Sequence, residues 1–231
     1  MTEQRGALDI LVTGGAGYIG SVVTEQLLEA GHNVLVFDNL SEGHRVAVSP
    51  EAKLIVGDIL DRKALHTIFA SNHFDVVVHL AAETVVARSM RDPRRVLRAN
   101  VVGGLNLLEE MVDVGVLNLV FSSSAAIYGE LTRDQITEDD PHEPVNPYGQ
   151  SKLMTEQMLA WFHRAYGLNS VSLRYFNAAG ATRDHGEDHQ PETHIIPNIL
   201  KVALGKDSFV PIFGTDFLTP DGTALRDYVH V

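Results

Sequence analysis

The strongest constraint on the fold lies at residues 13–20, TGGAGYIG, where Gly14, Gly15, Gly17 and Gly20 crowd between two patterned segments. The segment before it, ALDILVTG (7–14), reads as a buried strand. The segment after it, YIGSVVTEQLLEAG (18–31), has helical spacing and closes on Gly31. Glycine permits the tight turn and lets backbone N–H groups approach a pyrophosphate at the helix N-terminus, whose dipole favours an anion. The spacing fits G-x-x-G-x-x-G from Gly14 and G-x-G-x-x-G from Gly15. Asp38 follows the next apolar run, NVLVF (33–37), where its carboxylate can accept hydrogen bonds from ribose hydroxyls. Strand, glycine turn, helix and acid together specify a dinucleotide site. The Asp38 charge would repel a 2′-phosphate, so the expected cofactor is NAD, not NADP.

The rest of the chain continues the alternation. Short apolar runs at 33–37, 53–57, 75–82, 117–124 and 169–177 read as strands, and segments 61–72, 93–115 and 147–167 as helices. Continuous apolar strands between amphipathic helices predict an α/β fold, a doubly wound parallel sheet of Rossmann-like type. After residue 178 the texture changes to a polar loop (178–193). A helix interrupted by Pro197 (194–205), a short strand (209–214) and a strand-like finish, RDYVHV, follow. The expected division is a dinucleotide-binding domain over 1–177 and an incomplete small substrate-binding region over 178–231.

A second motif carries chemistry. In NPYGQSK, Asn146 suits a helix N-cap and Pro147 the first helical position, so Tyr148 and Lys152 fall one turn apart on one face. A free Tyr titrates near pH ~10. A nearby ammonium and a helix N-terminus both favour phenolate and are expected to lower that value. Tyr-x-x-x-Lys thus makes a general acid/base able to take a proton from an alcohol.

Composition narrows the partners. A net charge of -12 argues against a nucleic-acid surface or an anionic membrane. The absence of cysteine removes disulfides and thiolate metal sites and suits a reducing, cytoplasmic setting. The start reads as a strand and not a signal peptide, and no stretch approaches the about 18 apolar residues of a membrane helix. His185 and His189 lie in a Gly/Asp-rich segment without helical periodicity, so solvated loop residues are expected there and no metal. Leu153, Met154, Met158, Leu159 and Trp161 read as one helix face, for the core or a dimer contact, and EDDPHE (138–143) as a solvated turn.

With these motifs the chain resembles the extended short-chain dehydrogenase/reductases, and more closely the UDP-glucose (UDP-galactose) 4-epimerases. TGGAGYIGS, FSSSAAIYG, NPYGQSKLMTEQ, LRYFNAAGA, GEDHQPETHIIP and DGTALRDYVHV all look like segments of that family. The resemblance implies NAD-dependent epimerisation at C4 of a UDP-hexose through a 4-keto intermediate, with Ser124, Tyr148 and Lys152 as the catalytic group. It implies cofactor contacts from Gly14, Gly17, Tyr18, Ile19, Gly20, Asp38, Asn39, Asp58, Ile59, Leu80, Ala81, Ala82, Asn100, Tyr148, Lys152 and Phe176. It implies UDP-sugar contacts from Ser124, Tyr148, Asn177, His194, Phe213 and Arg226, and a homodimer formed through helix 147–167. Ser122 and Ser123 are expected to serve as backbone and packing groups. Similar 4,6-dehydratases place an Asp-Glu pair after the hydroxyl residue, where this chain has Ala125 and Ala126.

Two departures stand against the resemblance. Segment 81–89, AAETVVARS, has Ala87-Arg88-Ser89 where the epimerases commonly have Gly-Glu-Ser. Family members also continue well past RDYVHV, so the chain is expected to be C-terminally truncated, with its sugar pocket incompletely closed. Two alternatives stay open beside the 4-epimerase reading: a 4,6-dehydratase or decarboxylase on the same fold, and an NAD-binding fragment with little activity.

Overall fold

The computed structural model describes residues 6–130, 135–189, 192–212 and 214–231. It divides into two compact units, Met1–Tyr175 and Phe176–Val231.

The first unit is a six-stranded, wholly parallel sheet built from β1 (Asp9–Thr13), β2 (Asn33–Asp38), β3 (Lys53–Val56), β4 (Val76–His79), β5 (Asn118–Ser124) and β6 (Asn169–Tyr175). The spatial order is β3-β2-β1-β4-β5-β6, so chain order reverses between β1 and β4. Sheets of this kind bind ligands in the crevice at that reversal, beyond the carboxyl ends of the strands. Successive side chains of a strand point to opposite faces. Leu11 therefore joins Phe37, Val77, Leu119 and Phe121 in one core layer, and Ile10 and Val12 join Val34, Val36 and Val78 in the other. Burial on both faces explains why these strands read as unbroken apolar runs.

The helices begin where the sequence supplies caps. Asp61 accepts from the N–H groups of Lys63 and Ala64 to open α2 (Arg62–Ser71), and Asn146 accepts from Gly149 to open α6 (Pro147–Tyr166). Helix α1 (Tyr18–Glu29) opens on Gly17 with no side-chain cap. The expected helix over 93–115 forms as one helical run over 93–114 with a π turn inside it. A short α3 (Val86–Arg91) precedes α4 (Pro93–Leu97), a π-helical turn covers Arg98–Val102, and α5 (Gly103–Val114) follows. The wide turn turns Asn100 inward, where both N–H donors of its side chain are used. Such π turns are frequent at functional sites.

The second unit contains a two-stranded parallel sheet, β7 (Asn177–Ala179) with β8 (Tyr228–His230), and α7 (Ile195–Ala203). The units divide two residues before the expected boundary, because Asn177 pairs with Tyr228. Pro197 does not interrupt α7: it sits in the first turn, where its missing N–H costs no helical bond. The strand expected over 209–214 does not form in its described residues.

Candidate active site

The glycine turn fills the sheet's reversal point, and each glycine is there for its own reason. Gly14 has φ +76°, and a Cβ on it would lie 2.5 Å from the Ala81 nitrogen. A Cβ on Gly15 would meet Val36 at 2.7 Å, and one on Gly20 would lie 2.1 Å from the Gly14 carbonyl oxygen. These three let strand, turn and helix pack. Gly17 is different: a Cβ there would meet nothing closer than 3.5 Å, so packing does not demand glycine. Bare backbone at the uncapped N-terminus of α1 suits the close approach of a pyrophosphate.

Asp38 is buried at the end of β2, its two carboxylate oxygens accepting from the N–H groups of Ala16 (3.0 Å) and Leu40 (2.8 Å). A carboxylate has about four acceptor positions, so these bonds leave capacity for ribose hydroxyls. Asn39 donates to Asp58 at 3.0 Å, and Asp58 also accepts from the Leu60 N–H. Leu80 and Ala81 follow β4 and pack partly against the two cores, next to half-buried Ala82. Tyr18 and Ile19 open α1 and are likewise half-buried. Turn, acid and loop therefore fit a dinucleotide. The Ile59 side chain belongs to the core and would touch a Cβ on Gly103. Asn100 accepts from the Glu83 N–H (2.8 Å) and donates to the Glu83 carbonyl (3.0 Å) and Ser151 Oγ (2.9 Å), which leaves one acceptor position on its amide oxygen.

The serine run ends β5, and each serine does something different. Ser122 offers its carbonyl to Lys152 Nζ at 2.7 Å. Ser123 is buried and donates to Glu156 Oε1 at 2.5 Å. Glu156 in turn binds Arg174 of β6 through two nitrogens (3.1 and 2.7 Å), and Arg174 also donates to the Tyr128 hydroxyl at 2.6 Å. This charged cluster ties β5, β6 and α6 together directly behind Ser124. Ser124 accepts from the Ala126 N–H at 3.2 Å, and its hydroxyl acts on the nearby Tyr148 phenol. The structure thus brings Ser124, Tyr148 and Lys152 together at the carboxyl edge of the sheet.

The electrostatics differ from expectation. Burial pushes the Tyr148 phenol above its ordinary value, and the Ser124 hydroxyl only opposes that rise. The Lys152 ammonium is held by Ser122 and lies 5.0 Å from the Phe121 ring centre and 5.8 Å from that of Tyr148. Burial also brings Lys152 itself down to about 7. Behind them His79, buried and bonded to Thr13 Oγ1 at 2.7 Å, is depressed to about 3 by burial and by Lys152, and stays neutral.

Glu156, Arg174, Ser151 and His79 were not among the expected site residues. Glu156 carried a readable signal, since 148, 152 and 156 share one helical stripe. The expected apolar face of α6 is divided: Leu153 and Leu159 are buried, whereas Trp161 is exposed and stacks with Arg164. In 138–143, Asp140 is buried and accepts from the Thr137 N–H.

The remaining expected residues belong to the second unit. Phe176 and Asn177 are exposed, and Asn177 Nδ2 donates to the Asp227 carbonyl at 2.7 Å. His194 precedes α7 with Nδ1 2.8 Å from Glu192 Oε1, and exposed Arg226 donates to the Leu225 carbonyl. Phe213 lies outside the described residues. Glu187, His189 and His194 approach one another closely enough to offer metal ligands. His189 faces Glu187 and His194 faces Glu192, which satisfies these groups as histidine–carboxylate pairs.

Known proteins resemble this chain over nearly all its length. The model of the NAD dependent epimerase/dehydratase family matches residues 10–231. A UDP-glucose 4-epimerase from Lacticaseibacillus casei is 51% identical over 97% of this chain and 68% of its own length. The structure of a UDP-glucose 4-epimerase from Brucella ovis in complex with NAD superposes with TM-score 0.92 at 43% identity, over 97% of this chain and 69% of that one. One from Bifidobacterium longum, in complex with NAD+ and UDP, gives 0.92 at 37% identity over 96% and 70%. The chain therefore belongs to the NAD dependent epimerase/dehydratase family and, along nearly all its length, is similar to the UDP-glucose 4-epimerases within it.

Proposed function

We propose that this chain inverts the C4 carbon of a UDP-hexose, interconverting UDP-glucose and UDP-galactose with NAD as a retained cofactor. The observation that carries the reading is the Ser124–Tyr148–Lys152 group at the edge of a sheet whose first turn fits a dinucleotide. NAD, held by the glycine turn and Asp38, would supply the acceptor and donor of the C4 hydride. Tyr148 is the acid/base: as phenolate it takes the proton of the sugar hydroxyl, and as phenol it returns one to the keto oxygen. Ser124 hydrogen-bonds the same oxygen and, fixed by the Ala126 N–H, keeps it beside Tyr148. Lys152 holds a positive end near the phenol and is placed to bind the nicotinamide ribose. Ala125 and Ala126 cannot exchange a proton, which disfavours a 4,6-dehydratase.

For the nucleotide sugar we assign Asn177, His194, Phe213 and Arg226. Arg226 suits charge-assisted bonds to the diphosphate and Phe213 suits a uracil face. A cytoplasmic homodimer is our reading of the wider context, supported by the cysteine-free composition and by exposed Trp161 and Tyr166 on α6. No helix among the described residues is long and apolar enough to cross a membrane. The test is incubation with UDP-galactose: UDP-glucose should form, with NAD recovered on denaturation. A stable 4-keto-6-deoxy product would favour the dehydratase, and bound NAD without turnover would favour a silent NAD-binding chain.

A further inference from the structure

A segment that the dinucleotide fingerprint does not account for lies across the glycine turn. Residues 39–47 leave β2 through Leu40, the one non-glycine among the described residues with positive φ (58°). That costly conformation is held by Asp38 accepting from the Leu40 N–H and Asn39 accepting from the Ser41 N–H. The segment then lies directly on the turn. The His44 N–H donates to the Ala16 carbonyl at 2.9 Å, and a Cβ on Gly43 would sit 2.7 Å from that same carbonyl.

Its middle is tied down from across the cleft. Arg88 of α3 reaches Glu42 Oε1 at 2.5 Å and Glu83 Oε1 at 2.8 Å with one nitrogen, while Arg95 holds Glu83 Oε2 at 2.6 Å. Glu83 is a firm anchor: its side chain is buried and its backbone is pinned on both sides by Asn100. Asn100 bonds Ser151, whose hydroxyl donates to the Tyr148 carbonyl at 2.7 Å. A charged link therefore runs from the strap over the turn to the wall that carries the acid/base.

We propose that Glu42–Arg88–Glu83 is a latch that holds strap 39–47 on the glycine turn and so sets the rate at which bound NAD exchanges with solution. The inference rests on the NAD reading above. Arg88 acts here as a positioning residue, through the strap and not on the sugar. A charge-assisted pair of short bonds is stronger than a neutral one, yet Arg88 and Glu42 are each about one quarter exposed. The latch can therefore open, and salt weakens it.

The test uses the purified chain loaded with NAD and chased with an excess of labelled NAD. Arg88→Ala and Glu42→Gln should each speed NAD exchange about tenfold, and the double variant no more than Glu42→Gln alone, which loses both Arg88 and the longer pair with Arg95 at 3.9 Å. Exchange from the parent protein should quicken with added salt, and from the variants it should not. Glu42→Gln changes only a partly exposed side chain, so it keeps the test decisive if Arg88→Ala folds poorly. Exchange within twofold of the parent in Glu42→Gln, with NAD still bound stoichiometrically, overturns the latch and leaves the functional reading intact. A parent chain that binds no NAD overturns both.

Discussion

The two ends of the cleft are built from different materials. At the glycine turn the chain offers backbone: three glycines that packing demands, one that it does not, and a helix end without a side-chain cap. At the end of β5 it offers side chains, each held by a second one. Ser124 is set by Ala126, Lys152 by Ser122, and the strand ends by Ser123, Glu156 and Arg174. Backbone binds a phosphate group with little dependence on rotamers, so the cofactor end needs only shape. Proton transfer needs a particular atom at hydrogen-bonding distance, so the chemistry end needs side chains whose positions are fixed by their neighbours.

The sharpest separation of the two ends is Tyr148→Phe. Removing one oxygen leaves the ring's packing but takes away the proton carrier, so turnover should fall about 10³–10⁴-fold. NAD content after purification should be unchanged, because the backbone cradle is untouched. Epimerase rate and NAD recovered from the same preparation check this together; loss of both would mean that the ends are not independent.

Next in size is Gly20→Ala. Its new Cβ would fall on the Gly14 carbonyl, which is backbone and cannot swing aside. Strand β1 and helix α1 must separate, at a cost of about 3 kcal/mol. Urea unfolding should show the loss with or without NAD present.

The cofactor end was the more legible in sequence, and the difference in materials explains why. A backbone site needs glycines at fixed spacing after an apolar run, and that spacing is local. The six strands were legible for a related reason: burial on both faces leaves continuous apolar runs. Ser124, Tyr148 and Lys152 could be picked out, but their electrostatics could not. The Tyr148 phenol is raised by burial, and that burial depends on how distant segments pack around it. The π turn at Asn100 was hidden similarly, since what holds its side chain is Glu83 and Ser151. Pro197 misled because a helix boundary was placed by pattern, and a shift of one or two residues changes a breaker into a first-turn residue.

His79 tests whether the chemistry end is as dry as its partners suggest. Its folded value of about 3 lies below the ordinary 6.5, so between those limits the unfolded chain binds a proton that the folded chain refuses. Stability is then unaffected by this group above pH 6.5 and falls as pH drops toward 3. Between pH 7 and pH 5 the loss from this one group should be about 2 kcal/mol. His79→Asn should remove that part of the pH dependence, read as a flatter plot of urea-unfolding free energy against pH. An identical slope in both proteins would mean that water reaches the imidazole.

The smallest expected effect is the most discriminating for the cofactor end. Gly17→Ala adds the same methyl group as Gly20→Ala, three residues earlier, where the nearest atom is 3.5 Å away. Gly17 has φ −82° and ψ 176°, a conformation open to any residue. Packing therefore has no need of glycine here, and unfolding free energy without added NAD should fall by less than about 1 kcal/mol, the N-cap preference of glycine over alanine. A pyrophosphate drawn against the α1 N-terminus would meet the new methyl, and NAD affinity should fall about tenfold. Titration calorimetry beside urea unfolding reads the two quantities separately. Loss of affinity with no more than that small loss of stability identifies Gly17 as a residue kept for the ligand. Unchanged affinity would move the phosphate contact to the amides around Gly14 and Gly15.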